Sequence, residues 1–173
     1  MPEIEISAEH ANDPHNRRVG ILVSVVSILL SVFTITSHRS HTHSVIHRTE
    51  ANDQWTYYQA KKIRENSSDV ALELLAALSA DSSKTAPAVQ KLSAARDKYA
   101  SDAKGIMADA LAKDAASAIE ESRALYYDVA EGLLELGLVL CSLFFLARNR
   151  FFPVIGIIAA IAGTADGTMG MLL

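Results

Sequence analysis

From Ile21 to Lys104 the chain contains no glycine, and from His15 to Phe152 its only proline is Pro87. Strands joined by tight turns need residues that reach positive φ or preset a turn, so this scarcity argues for long helices. Alanine-rich runs such as ALELLAALSA (71–80) and ADALAKDAASAIEES (108–122) point the same way, because Ala, Leu, Glu and Lys cost least in a helix interior. The one obvious break runs from Ser79 to Pro87, where cap-forming hydroxyl and carboxylate side chains precede a proline suited to a first helical turn. The expected fold class is all-α.

Three stretches are apolar enough for a bilayer. Val19 to Thr36 has eighteen residues and no charge, and at about 1.5 Å per residue it nearly crosses a ~30 Å hydrocarbon core. A cleaved signal peptide would have a short basic start and small residues at its end. Here the preceding stretch carries Glu3, Glu5, Glu9 and Asp13, so a retained anchor is favoured. Val129 to Ala147 carries Glu131 and Glu135 near its start, which places Glu135 in the headgroup zone or against a partner. Phe151 to Leu173 is the third stretch, and Pro153 fits its first turn. The expected order is a polar tail (1–18), a first span (19–36), an extramembrane hairpin (37–130), a second span (131–147) and a third (151–173).

Lys and Arg next to a membrane are retained on the cytoplasmic side. Arg17 and Arg18 precede the first span, and Arg148 and Arg150 separate the second from the third. Both clusters can be cytoplasmic together, with the N-terminus inside and the hairpin outside. Arg39 and Arg123 lie on the other side of that division and weaken the asymmetry.

Residues 37–80 and 87–130 are equal arms of forty-four, each about 66 Å long as a helix. Folded back, residues whose numbers sum to roughly 167 share a height. Leu78 then meets Val89, Leu75 meets Leu92, Val70 nears Tyr99 and Ile63 nears Ile106. Trp55 and Tyr58 oppose the small residues Ala108, Ala110 and Ala112. On the second arm Leu92, Ala95, Tyr99, Ala103, Ile106 and Ala110 form a coiled-coil seam by spacing. Lys61 with Glu65, Lys98 with Asp102 and Asp109 with Lys113 are each four apart and are expected to support the exposed faces by a few tenths of a kcal/mol, roughly 0.2–0.5 each. Twelve Lys or Arg against thirteen Asp or Glu between 37 and 130 make this a nearly neutral rod.

Few residues suggest chemistry. His38, His41, His43 and His47 lie within ten residues, and His43 and His47 are four apart. They are candidate metal ligands or a cluster that gains charge near pH ~6.5; the alternative is a polar collar facing headgroups. Asp166 lies in the third apolar stretch, where an ionisable group is a functional candidate, although it is near enough to the end to be hydrated. Ala159, Gly163 and Gly167 recur every four residues as a stripe for close helix packing. Trp55, Tyr58, Gln59 and Lys62 make the most distinctive patch, set either to fix helix register or to dock a partner. Cys141 stands alone, which excludes an internal disulfide and a cysteine zinc knuckle. The net charge of -4 on 173 residues disfavours a nucleic-acid partner. No nucleophile–base pair, phosphate-binding loop or cofactor motif can be assigned, so neither an enzyme nor a cofactor is expected.

The segment ANDQWTYYQAKKIR (51–64), together with YDVAEGLL (127–134) leading into the second span, resembles a family of bacterial membrane proteins, the domain of unknown function 4337. The likeness runs from the first span to the last. It implies a multi-pass protein of the bacterial inner membrane with this order of spans, and it implies no activity. The histidine-rich stretch and Asp166 fall outside that family's pattern and read as local specialisations.

A structural or interaction protein is the expected role: a membrane-anchored hairpin that self-associates or docks another envelope protein. The alternative is a small oligomeric channel, transporter subunit or pH- or metal-responsive sensor using Asp166, Glu135 and the histidines. With 50% hydrophobic residues and a mean hydropathy of +0.16, the chain has its apolar content in the spans and a thin seam rather than in a globular core.

Overall fold

The computed structural model describes residues 14–78 and 82–173. Three helices account for nearly all of them: α1 (Pro14–Leu78), α2 (Ser82–Ala147) and α3 (Phe151–Leu172). No strand occurs among the described residues. All three helices are long and apolar enough to cross a membrane. Residues 1–13 of the expected polar tail and 79–81 of the expected turn lie outside the described residues.

Pro14 opens α1, where a missing N–H costs nothing. Serine and threonine are tolerated along its apolar stretch because their hydroxyls bond the carbonyl one turn back: Ser27 to Val23 at 2.9 Å, Ser31 to Ser27 at 2.9 Å, Thr36 to Val32 at 2.8 Å. The second helix begins earlier than the sequence suggests. It is helical from Ser82, so Pro87 lies inside it, and the price is a single ladder bond in an exposed second turn.

Arg148 ends α2 in the left-handed region at φ 50°, its N–H donating to the Phe144 carbonyl at 2.8 Å. Asn149 then accepts the Phe151 N–H on its side-chain oxygen at 3.0 Å and starts α3. Pro153 falls in the first turn of α3, as expected.

The described residues divide into two compact units, residues 14–42 with 119–173, and residues 43–118. In the first, Val26, Phe33, Tyr127, Ala130, Leu134 and Ala160 form the core. Helix α3 packs through glycines. A Cβ on Gly156 would stand 2.8 Å from the Gly137 carbonyl oxygen, and one on Gly163 2.9 Å from that of Ala130. The buried stripe is wider than the expected Ala159, Gly163 and Gly167, for it also takes in Pro153, Gly156, Ala160 and Gly170. Two sets recur every seven residues, 156–163–170 and 153–160–167, which keeps one side of α3 against its neighbours.

The second unit pairs two antiparallel helical segments. Ser44 and Ala51 on α1 and Ala103, Ala110 and Ser117 on α2 are buried at seven-residue intervals. Their small side chains let the backbones approach closely. The inward face of α2 is the expected one, since Leu92, Ala95, Tyr99, Ala103, Ile106 and Ala110 are all buried or half-buried. The face of α1 differs. Ile63, Val70 and Leu78 are 66%, 46% and 81% exposed, so three of the four expected layers do not close. Most observed cross-pairs, such as Ser44 with Ser117, Lys61 with Asp102 and Asp69 with Arg96, have numbers summing to a few less than 167. The earlier start of α2 accounts for that shift, which turns a different side of α1 inward.

Candidate functional site

The distinctive aromatic patch splits between two roles. Trp55 and Tyr58 are half-buried, with rings edge to face at 5.7 Å. The Trp55 indole N–H donates to Asp114 at 2.8 Å, fixing the register with α2. Gln59 and Lys62 face outward, and Lys62 binds Glu65 one turn on at 2.7 Å. That hydrogen bond holds the Lys62 ammonium pKa above its usual value.

Lys61, which the spacing pairs only with Glu65 on its own helix, is the better-placed cation. It donates to Asp102 across the hairpin at 2.8 Å and lies 5.3 Å and 5.6 Å from the centres of the Tyr57 and Tyr99 rings. Lys113 likewise reaches across to Glu50 at 2.6 Å. The expected partners four residues away, Glu65 and Asp109, are passed over because a carboxylate on the facing helix lies level with each ammonium. Their hydrogen bonds to these lysines hold the Asp102 and Glu50 carboxyls below their usual range.

The histidines take separate partners. His41 Nε2 lies 3.0 Å from Asp128 Oδ2 in the first unit, and His47 Nδ1 lies 3.5 Å from Glu50 in the second. His38 and His43 are exposed. Among the described residues no three His, Cys, Asp or Glu side chains are grouped to hold a metal ion. Helical geometry explains this, since His41 and His43 are two residues apart and point to opposite sides.

Asp128 instead sits in a polar cluster that the histidine spacing alone does not reveal. Buried Ser37 donates to Asp128 Oδ1, and one turn back, inside the first apolar stretch, Thr34 donates to Glu131 at 2.8 Å. Thr34, Ser37 and His41 are spaced by three and four, a helical face. A reading that paired this face with Asp128 and Glu131 would have found the cluster. Burial works to raise the Asp128 pKa, but the hydrogen bonds from Ser37 and His41 outweigh it and hold the carboxyl below its usual value.

Glu135 is exposed on α2. Asp166 is half-buried on α3 in a cleft of about 330 Å³ lined by Ser122, Leu125, Tyr126 and Val129. Its Oδ2 is buried with no hydrogen-bond donor among the described residues. Next to it, Gly167 lies against the Phe33 ring and Gly170 against Tyr126. The end of α3 is thus level with the residues that precede the second apolar stretch.

A family model, that of a domain of unknown function (DUF4337), matches residues 15–173 and so takes in all three helices. The chain belongs to that family. No curated protein and no solved structure matches it. For this DUF4337 chain the site must therefore be argued from its own surfaces, and two stand out.

The first is the outer side of α1 in the second unit. Thr56, Ile63, Val70 and Ala77 recur every seven residues, and Ala60, Ser67 and Leu74 fill the alternate positions. This is a second heptad pattern on the side of α1 turned away from α2, and it carries no charge. The second surface of this DUF4337 chain lies in the first unit, where Arg18 and Arg150 stand at the mouth of an apolar cleft between α1 and α3.

Proposed function

We propose that this protein is an integral membrane protein whose three apolar stretches cross the bilayer, and that residues 43–118 form an extramembrane docking hairpin that binds a second copy of the chain. The observation that carries the reading is the charge-free heptad face of α1. Ile63 is 66%, Val70 46% and Leu74 55% exposed there. Leaving four large apolar groups, Leu78 among them, in water on one narrow face is costly, and a facing helix with the same spacing would cover them. A second copy supplies such a face, and a twofold axis lets the same residues serve on both sides.

The membrane placement is supported by the three long apolar helices and by the arginines. Arg18 and Arg150 line one cleft, so the two basic clusters fall at the same end of the first unit. By the positive-inside tendency that end is cytoplasmic and the hairpin lies on the outer side.

Cysteines placed at Ile63 or Val70 in a Cys141→Ser background test the docking. In native membranes, oxidation should give a disulfide-linked dimer. A single-protomer species throughout would overturn the docking, while release of the chain by alkaline carbonate would overturn the membrane placement. The channel or sensor alternative is favoured by one observation, the buried Asp166 oxygen that has no hydrogen-bond partner among the described residues; ion flux abolished by Asp166→Asn would support it.

A further inference from the structure

We infer that the groove between α1 and α3 in the first unit is a binding site for one anionic phospholipid, a site that rests on the membrane placement proposed above. The groove begins as a cleft of about 350 Å³ in which Val19 and Leu22 of α1 face Pro153, Val154 and Ile157 of α3. It continues into a second cleft of about 420 Å³ that shares Leu22 and Ile157 and ends at Thr168. Beyond that, Phe33 packs on Gly167 and brings α1 and α3 together.

The walls suit a hydrocarbon chain. Val25 and Leu29 stand on one side and Ile161 and Ala165 on the other. The two threonines turn their hydroxyls onto the carbonyls of their own helix, Thr164 to Ala160 and Thr168 to Ala165, both at 2.7 Å. The lining therefore offers a ligand almost no polar atom. From Arg150 to Thr168 the groove runs about 27 Å along α3, longer than one leaflet of a ~30 Å core, so a whole acyl chain fits.

The mouth suits an anion. Arg18 and Arg150 are both exposed, and neither guanidinium meets a carboxylate among the described residues. Arg17 and Arg148 add to the positive potential from the adjoining positions. Guanidinium groups bind phosphodiesters through paired N–H donors. A zwitterionic headgroup would bring its own ammonium against this cluster. A free phosphate would leave the groove uncovered, and an apolar helix would leave the arginines unused. A phospholipid with net negative charge satisfies both halves.

The test uses the full chain purified in detergent and measured by native mass spectrometry against dioleoyl-phosphatidylglycerol, dioleoyl-phosphatidylcholine and inorganic phosphate. One phosphatidylglycerol should be retained with at least about tenfold preference over phosphatidylcholine, given what two basic side chains contribute at a lipid surface. The double variant Arg18→Gln/Arg150→Gln, altered only at exposed positions, should lose most of that preference, Arg17 and Arg148 keeping only a small remainder. Ile157→Trp, with the arginines intact, should lose both. Equal retention by the unaltered chain, full preference in the double variant, displacement by inorganic phosphate, or a dimer that closes the groove without lipid would each overturn the site. Carbonate release from native membranes would instead mark failure of the membrane placement itself.

Discussion

Ser44 and Ser117 bond to each other reciprocally across the second unit: the Ser117 hydroxyl donates to the Ser44 carbonyl at 3.0 Å, and the Ser44 hydroxyl to the Ser117 carbonyl at 3.2 Å. Both residues are buried, Ser117 at 1% exposure. The exchange is possible only because the backbones come close, and it adds an inter-helix tie beyond packing. Ser117→Ala should therefore lower stability by about 1 kcal/mol, the net worth of such a bond. Ser117→Leu should cost more, about 1–3 kcal/mol or above, because the space beside the facing backbone cannot take the side chain. Thermal unfolding followed by circular dichroism in detergent would rank them. A milder effect from leucine than from alanine would show that the helices stand further apart than this.

Glycines on the two sides of the first unit should respond oppositely to the same change. At Gly163 an added Cβ would stand 2.9 Å from the Ala130 carbonyl oxygen and 2.9 Å from Leu133 Cβ, whereas at Gly132 it would meet nothing within 4 Å. Gly163→Ala forces α3 away from α2 and should destabilise. Gly132→Ala removes an intrinsic helix penalty of about 0.8–1 kcal/mol and should stabilise. Thermal midpoints of both variants shifting in the same direction would contradict the close approach of α3.

These contrasts show what the chain betrays of itself and what it hides. The scarcity of glycine and proline up to Lys104 and the three apolar stretches lead directly to three helices. The inward face of α2 is legible too, since Ala103 and Ala110 lie on a clear seven-residue repeat. The face of α1 is not, because it carries two such repeats. Small residues such as Ser44 and Ala51 mark the buried one, while Ile63 and Val70 mark the exposed one. Hydrophobicity alone selects the larger side chains, whereas close backbone packing selects the smaller. The Asp128 cluster escaped for a different reason: the expected register sets Asp128 level with Arg39, and only the three-and-four spacing of Thr34, Ser37 and His41 marks the α1 face on either side of that level that meets it and Glu131.

Asp128 should leave a mark on the pH dependence of stability. Its carboxyl is held below the usual aspartate value by Ser37 and His41 despite the opposing effect of burial. A depressed folded pKa contributes stability that is complete above the unfolded value, about 3.9, and is lost as pH falls through the folded value. The acid limb should therefore be shallower in Asp128→Asn than in the unaltered chain. It should not vanish, because the carboxyls of Glu50 and Asp102 are lowered as well. Thermal midpoints measured from pH 6 down to about 2 would separate the curves, and coincident curves would remove Asp128 from the balance.

Asp166 provides the sharpest separation between a docking protein and an ion-handling one. Its buried Oδ2 has no donor among the described residues, and Arg123, whose backbone carbonyl approaches Gly170 one turn further along α3, turns its guanidinium to Glu120 at 2.8 Å. A buried acceptor left unpaired costs about 1–3 kcal/mol, a cost that persists in evolution most readily where the group has work to do or where a headgroup or water relieves it. On the membrane placement proposed above, the level of Gly167 and Gly170 beside Phe33 and Tyr126 favours relief at the bilayer surface. On that basis Asp166→Asn should leave thermal stability equal or higher and should leave proton flux in reconstituted vesicles unchanged. Flux that is present in the unaltered protein and absent in the variant would reverse the assignment and make the aspartate, rather than the α1 face, the centre of function.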